Sequence, residues 1–473
     1  MLRDLNRRSF LLGSAAALAG SAAPFAVRAS GAAPVKLTVG RRTIEVQGRA
    51  APAFGITQPD GTSGLTLEHD DRFLVDLVND AGEDTIIHWH GQLPPFLQDG
   101  FPDKDRPLIP QGGRQSYDFA PTPGTHWMHS HQGLQAQRQM NAPLIVRTVE
   151  DERADVQEVV LFLDDFSFTP PEEILANLAK SENSMASMLG KPDDTGATDT
   201  GMVMPAGDLN DVTFDAFLAN DRTLDDPFVA SVERNGRVRL RIINGAASTQ
   251  FWIDFGPLHG TVIAVDGNPT NRVRSKRLPL AIAQRLDVLL DVPDRVAVPV
   301  FAQVEGKHRR TGIVLAGPGA SISKLPAIAN NAVAAVDHSL EGRLSAVTPL
   351  DDRPIDNTLN VALTGAMASY TWSLNDEMWP QVTPLTVRQG QRVAINLHNK
   401  TAMAHPMHLH GHPFQVVEIN GFEWSGPVRD TVLVPPLGDV TIAFDANNPG
   451  RWPFHCHNLY HQATGMMTEI VYV

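Results

Sequence analysis

Short apolar and polar positions alternate along most of the chain, and Gly, Pro, Asn or Asp closes almost every run. Alternation with a period of two sends successive side chains to opposite faces, so these runs read as half-buried β-strands. Helical periodicity is scarce. Its best stretch is 171–178, where Pro171 at the start and Glu172 and Glu173 in the first turn suit a helix N-terminus. The pattern predicts an all-β protein built of sandwiches or barrels.

Three strands share one frame: 72–79, Arg237–Asn244 and Arg392–Asn399 each begin with Arg and end in an Asn turn. Nine and eleven residues after that Asn stand His88 and His90 in the first copy, Ile253 and Phe255 in the second, and His408 and His410 in the third. A second correspondence joins Gly124, His129 and His131 to Gly450, His455 and His457, again in the outer copies. The reading is three homologous β-domains at 30–150, 151–318 and 345–473, with an Ala- and Pro-rich linker at 319–344.

Length agrees, since 473 residues make three domains at about 150 each. With 42% hydrophobic and 19% charged residues the chain is not disordered. The charge of −14, from 39 basic against 53 acidic residues, argues against a nucleic-acid partner. Asn6-Arg7-Arg8-Ser9-Phe10 before an Ala/Leu run, with Val27-Arg28-Ala29 behind it, resembles a Tat signal at 1–29. Its removal takes four Arg and one Asp, so −14 becomes −17. No later run is long enough to span a bilayer. The expectation is a protein carried folded by the Tat export machinery to the periplasm, with no stable membrane insertion.

Of 17 histidines, eight fall into four His-x-His pairs: His88/His90, His129/His131, His408/His410 and His455/His457. On a strand each pair turns two imidazoles to one face. Two pairs lie in the first domain and two in the third, so a shared metal site has to form where those domains meet. Cys456, the one cysteine, sits inside the last pair and points to the opposite face. With His405 in the loop before His408, and with His461 and Met466, it makes the ligand set of a blue-copper centre. A structural zinc site needs only four ligands. His69, His126, His259, His308, His338, His398 and His412 have no such partner and read as surface or supporting residues.

His88-Trp89-His90-Gly91, His129-Ser130-His131, the run from His405 to Gly411, and His455-Cys456-His457 through His461 to Met466 resemble the copper signatures of three-domain bacterial multicopper oxidases. The resemblance spans the chain beyond the signal and implies cupredoxin domains and four copper ions. By that pattern the type 1 copper takes His405, Cys456 and His461 with Met466 axial, and the type 2 copper takes His88 and His408. The type 3 pair takes His90, His129, His131, His410, His455 and His457. A reducing substrate gives electrons singly to the type 1 centre, and dioxygen becomes two waters at the trinuclear cluster. The first domain has Thr85, Ser130 and Gln135 where the third has His405, Cys456 and His461, so electron entry belongs to the third domain alone.

Asp99 stands where similar enzymes carry a proton-relaying acid, or else is a turn residue before Gly100. Gln462 replaces a common Glu. The donor stays open between phenols or aromatic amines, as in laccases, and Cu(I), as in copper-efflux oxidases. Met403 matches the latter, but Thr401 replaces their Asp. Met185, Met188, Met202 and Met204 in the loop-like stretch 181–211 suit packing or copper gathering. The reading favours a laccase-like oxidase over a cuprous oxidase. A third possibility is a Tat-exported division protein of the same fold without catalysis.

Overall fold

The computed structural model describes residues 33–188 and 209–473, without the side chains of 181–188. The signal at 1–29, Met202 and Met204, and the side chains of Met185 and Met188 lie outside what is described. No helix among the described residues is long and apolar enough to cross a membrane.

The described strands form six sheets, two to each repeat, in a single compact body over Val35–Val473. Four- and four-stranded sheets face each other in the first repeat, six- and five-stranded sheets in the second, and seven- and five-stranded sheets in the third. Within each, inward residues alternate with outward ones; Phe73–Asp80 buries Phe73, Val75, Leu77 and Asn79 and leaves their neighbours partly exposed. The repeat frame is structural: Phe73–Asp80, Arg237–Asn244 and Arg392–Asn399 each pair in parallel with the first long strand of their repeat.

The recurrent Asn has the same task three times. Its side-chain oxygen accepts the N–H two residues on, from Ala81, Ala246 and Thr401. Its amide donates to a carbonyl four or five residues on, of Glu83, Thr249 and Met403. Such a side chain replaces the backbone partners that a tight buried turn loses. The turn launches the histidine strand in the outer repeats and Phe251–Asp254 in the middle one.

The helix expected at 171–178 runs on, from Pro171 to Met188, into the stretch read as a loop. Residues 179–188 hold no Gly or Pro, and Ala, Lys, Glu and Met there propagate a helix once it is started. The segment 319–344 lies along the middle repeat, bridged at Val333 to Glu305 and at Ile328 to Arg309.

Arg42, Asn141, Asp164 and Asp221 line a cavity of about 170 Å³ between the first two repeats. Burial pushes the Asp164 carboxyl up to about 8. The folded chain therefore holds a proton there that the unfolded chain releases near its ordinary value, and the contribution of Asp164 to stability falls as pH rises from about 4 to 8. Asp164→Asn should raise the melting temperature at pH 7.5, by an amount worth about 1 kcal/mol or more, and leave it nearly unchanged at pH 4.5. Equal shifts at both pH values would contradict this.

Candidate metal centre

In the first repeat Ile87–His90 runs antiparallel to Gly124–Ser130, setting His88 opposite His129. In the third, His405–Leu409 runs antiparallel to Arg451–Cys456, setting His408 opposite His455 and Met407 opposite Cys456. Of the four pairs, only His88/His90 has both members on a strand; in the others His129, His408 and His455 lie on strands while His131, His410 and His457 stand just past strand ends. His405 opens a strand, where a loop was expected.

Eight paired imidazoles meet at the seam between the outer repeats. Ligand atoms within 4.8 Å of one another gather as His88, His90 and His408, as His90, His129 and His457, and as His131, His410 and His455. The His88 and His410 rings stack at 3.8 Å, as do those of His90 and His408, each pair crossing the seam.

The nitrogens turned away from the centre are held. Asp99 and Asp430 do this with a matching division of labour. The Asp99 carbonyl accepts from His88 Nδ1 at 2.9 Å, and its carboxylate from His410 Nδ1 at 2.9 Å. The Asp430 carbonyl accepts from His408 Nδ1 at 2.8 Å, and its carboxylate from His90 Nε2 at 3.0 Å. Each acid thus serves one histidine of its own repeat through the backbone and one across the seam through the side chain. His129 and His455 donate to the carbonyls of Ser130 and Cys456.

The inward nitrogens have no partner: His88 Nε2, His90 Nδ1, His129 Nε2, His131 Nε2, His408 Nε2 and His457 Nε2 are all buried and unpaired. His410 Nε2 and His455 Nε2 face each other at 3.1 Å. Unmatched buried polar atoms cost about 1–3 kcal/mol each, and metal ions are the partners such lone pairs fit. Burial, then neighbouring imidazoles, holds His90, His131, His408 and His410 well below the usual histidine range, and burial takes His455 down to about 4. Neutral imidazole is the ligating form.

The second group lies beneath the strand that bears Cys456. Its Sγ is 3.7 Å from His405 Nδ1 and 3.7 Å from His461 Nδ1, and those nitrogens are 3.1 Å apart. All three are buried, as is Met466, whose carbonyl accepts the Cys456 N–H. Burial pushes the Cys456 thiol up, so a bound cation is what stabilises its thiolate. Thr401 Oγ1 lies 2.7 Å from His405 Nε2, and Asp211 Oδ2 lies 2.7 Å from His461 Nε2. In the first repeat, Thr85, Ser130, Gln135 and Met140 occupy the equivalent cup. Gln135 Oε1 accepts from both hydroxyls at 2.7 and 2.6 Å, and Met140 Sδ is 3.1 Å from Thr85 Oγ1. Hydrogen bonds fill that cup in place of soft ligands.

Family models described as multicopper oxidase match residues 39–151, 157–316 and 352–473. The multicopper oxidase MmcO of Mycobacterium tuberculosis is 32% identical over 85% of this chain and 80% of its own. The chain belongs to the multicopper oxidase family. Copper resistance protein A of Escherichia coli is 26% identical over 99% of both chains. Among solved structures, a multicopper oxidase that functions in iron import superposes with a TM-score of 0.74 at 19% identity, over 92% of this chain and 90% of that one. The laccase of Botrytis aclada does so at 0.74 and 22%, over 92% and 87%. The three repeats are thus cupredoxin-like, and the metal of this multicopper oxidase is copper. A structural role in division finds no support among these oxidases, laccases and copper resistance proteins.

Three residues of the centre were not singled out in the sequence: Asp430, Asp211 and Arg285. Gln462 was, but only as the replacement of a common Glu; its amide nitrogen lies 3.2 Å from His131 Nδ1. Asp99 sits at the end of a 3-10 turn, Phe96–Gln98. Gly100 follows with φ +85, where a Cβ would lie 1.8 Å from the Ile87 carbonyl. Turn geometry and contact with the centre therefore coincide at Asp99.

Histidines that stay neutral when buried take up protons on unfolding below about pH 6.5, so the unfolded state binds more. The metal-free protein should lose stability steeply as pH falls from 6.5 toward 4, as read by its melting temperature. A flat profile would contradict buried, uncharged imidazoles.

Proposed function

We propose that the protein is a laccase-like oxidase that takes single electrons from four small aromatic O–H or N–H donors and uses them, with four protons, to turn one dioxygen into two waters. His405, Cys456 and His461, together with Met466, would hold the type 1 copper, and His88 and His408 the type 2 copper. His90, His129, His131, His410, His455 and His457 would hold the type 3 pair. Copper supplies one-electron exchange at the first centre and dioxygen binding and reduction at the second.

The carrying observation is a cavity of about 150 Å³ beside the type 1 histidines. Its walls include Ile282, Val336, Ala402, Met403, Ala404 and Pro436, and its polar groups include Asp211, Gln250 and Glu305. Asp211 accepts from His461 Nε2 and the Tyr370 hydroxyl through Oδ2, while its Oδ1 is buried without a partner. Gln250 Oε1 is also unpaired. Apolar walls with unpaired acceptors suit an aromatic ring bearing a hydrogen-bond donor. Asp211 takes the donor's proton as its electron leaves at the His461 edge, and the Cys456 backbone carries the electron to His455 and His457. Asp99, with Oδ1 unpaired beside His410 and Arg106, relays protons to the cluster.

Met403 on the cavity wall favours a second reading, oxidation of Cu(I). Thr401 argues against it, because its hydroxyl is spent on His405 and Asn399. The Tat-like segment supports periplasmic export.

Oxygen uptake by the copper-loaded protein tests the choice. A dimethoxyphenol should turn over well without added copper; strong preference for Cu(I) would move the protein to the second reading. Asp211→Ala should lower kcat/KM for phenols about tenfold or more, a loss of about 1.4 kcal/mol, while reoxidation by dioxygen keeps its rate. Cys456→Ser should abolish the blue absorption and turnover with the fold intact, and retained colour would contradict the type 1 assignment.

A further inference from the structure

Among the described residues the middle repeat supplies no candidate ligand to the seam, yet its Arg285 enters it. Arg285 is fully buried, and its guanidinium grips both oxygens of Asp430, Nη1 to Oδ1 at 2.7 Å and Nη2 to Oδ2 at 2.5 Å. Its other hydrogen bonds run to the Thr125 carbonyl of the first repeat and the Ala283 carbonyl of its own. One planar side chain thus ties three repeats, and a bidentate grip fixes the rotation of the carboxylate as well as its position.

That rotation matters to His90. Asp430 Oδ1, fixed by Arg285 and by the Thr431 hydroxyl at 2.9 Å, is the acceptor for His90 Nε2. An N–H donated from Nε2 leaves the lone pair on Nδ1, the unpaired atom that faces the centre. The other seam histidines with an unpaired inward nitrogen present Nε2, so His90 needs the opposite tautomer. Room for the grip comes from Gly91, with φ +87: a Cβ there would lie 2.6 Å from Arg285 Nη2 and 3.0 Å from Asp430 Oδ2. Behind Arg285 the ionic chain continues through Asp266 to Arg429 and Glu341, all buried.

We propose that Arg285 is a positioning residue for the trinuclear copper cluster: by clamping Asp430 it sets the ring orientation and tautomer of His90, so that the middle repeat completes a site to which it gives no ligand. Without the guanidinium, the Asp430 carboxylate loses the bidentate grip that fixes its rotation. Its Oδ1 then turns away from His90 Nε2, and the acceptor that holds that ring is misplaced.

The inference rests on the ligand assignment proposed above, and the test separates the two. Copper content, the blue thiolate absorption, the near-ultraviolet absorption of the coupled copper pair and the type 2 paramagnetic signal are measured on parent, Arg285→Met, Arg285→Lys and Arg241→Met proteins. Arg241 is an equally buried arginine that pairs with Asp287 and Glu158 and touches no candidate ligand, so it reports loss of packing alone. Arg285→Met should keep the blue absorption and its reduction by donor, lose copper and the near-ultraviolet absorption, and slow reoxidation by dioxygen at least tenfold. Arg285→Lys, a point charge that cannot span both oxygens, should fold and show a partial loss of the same signals. It decides the matter if the Met variant does not fold. Arg241→Met should keep every copper signal. Cluster signals unchanged in the folded Arg285 variants, or lost equally in Arg241→Met, would overturn the role of Arg285. A parent protein without cluster signals would overturn the ligand assignment instead.

Discussion

Uncharged imidazoles packed against one another, with inward nitrogens unpaired, are the constraint on which the rest depends. Protein partners for those atoms would spare the cost of burying them, but none lies within hydrogen-bond reach at the seam. The outward nitrogens of His88, His90, His129, His408, His410 and His455 are tied to carbonyls and carboxylates instead, which fixes those rings before any metal arrives. Such preorganisation shifts the cost of ordering the site into folding and lets metal binding repay it.

The same logic explains the repeat architecture. A single cupredoxin-like sandwich offers one strand pair with histidines on one face; two are needed to enclose the metals, and they must face each other in a fixed register. The buried Asn turn sets where each histidine strand starts, and the middle sandwich is tied to the outer two through Arg285. Its interior is apolar where theirs carry histidines, with Ile253 and Phe255 fully buried in place of two paired imidazoles. Two neighbouring central strands of its six-stranded sheet carry the buried Arg241 and Arg285, which reach Thr125 of the first repeat and Asp430 of the third.

Much of this was legible in the sequence because ligand chemistry is local. His-x-His on a strand, Cys456 between two such histidines, and the recurrent Asn each state their geometry in a few residues. The three-repeat frame followed from spacing alone. What sequence could not offer was the partners of those ligands. Asp430 lies 340 residues from His90, Asp211 lies 250 from His461, and Arg285 lies 145 from Asp430, so only folding brings them together. Asp99 was found through resemblance, whereas Asp430, its counterpart in the third repeat, carries no local signal. The helix beyond residue 178 was missed because a polar stretch with Ser and Asn reads as a loop, although it contains no breaker.

The central claim is that the chain encloses copper at two places, a cluster at the seam of the outer repeats and a single ion beneath Cys456. Anomalous diffraction at the copper edge from crystals of the copper-loaded protein tests it most directly. The account predicts four peaks per chain, three among the eight seam histidines and one between Cys456 Sγ and the Nδ1 atoms of His405 and His461. A chain that binds copper elsewhere, or that leaves the seam empty while the Cys456 site is filled, would contradict it.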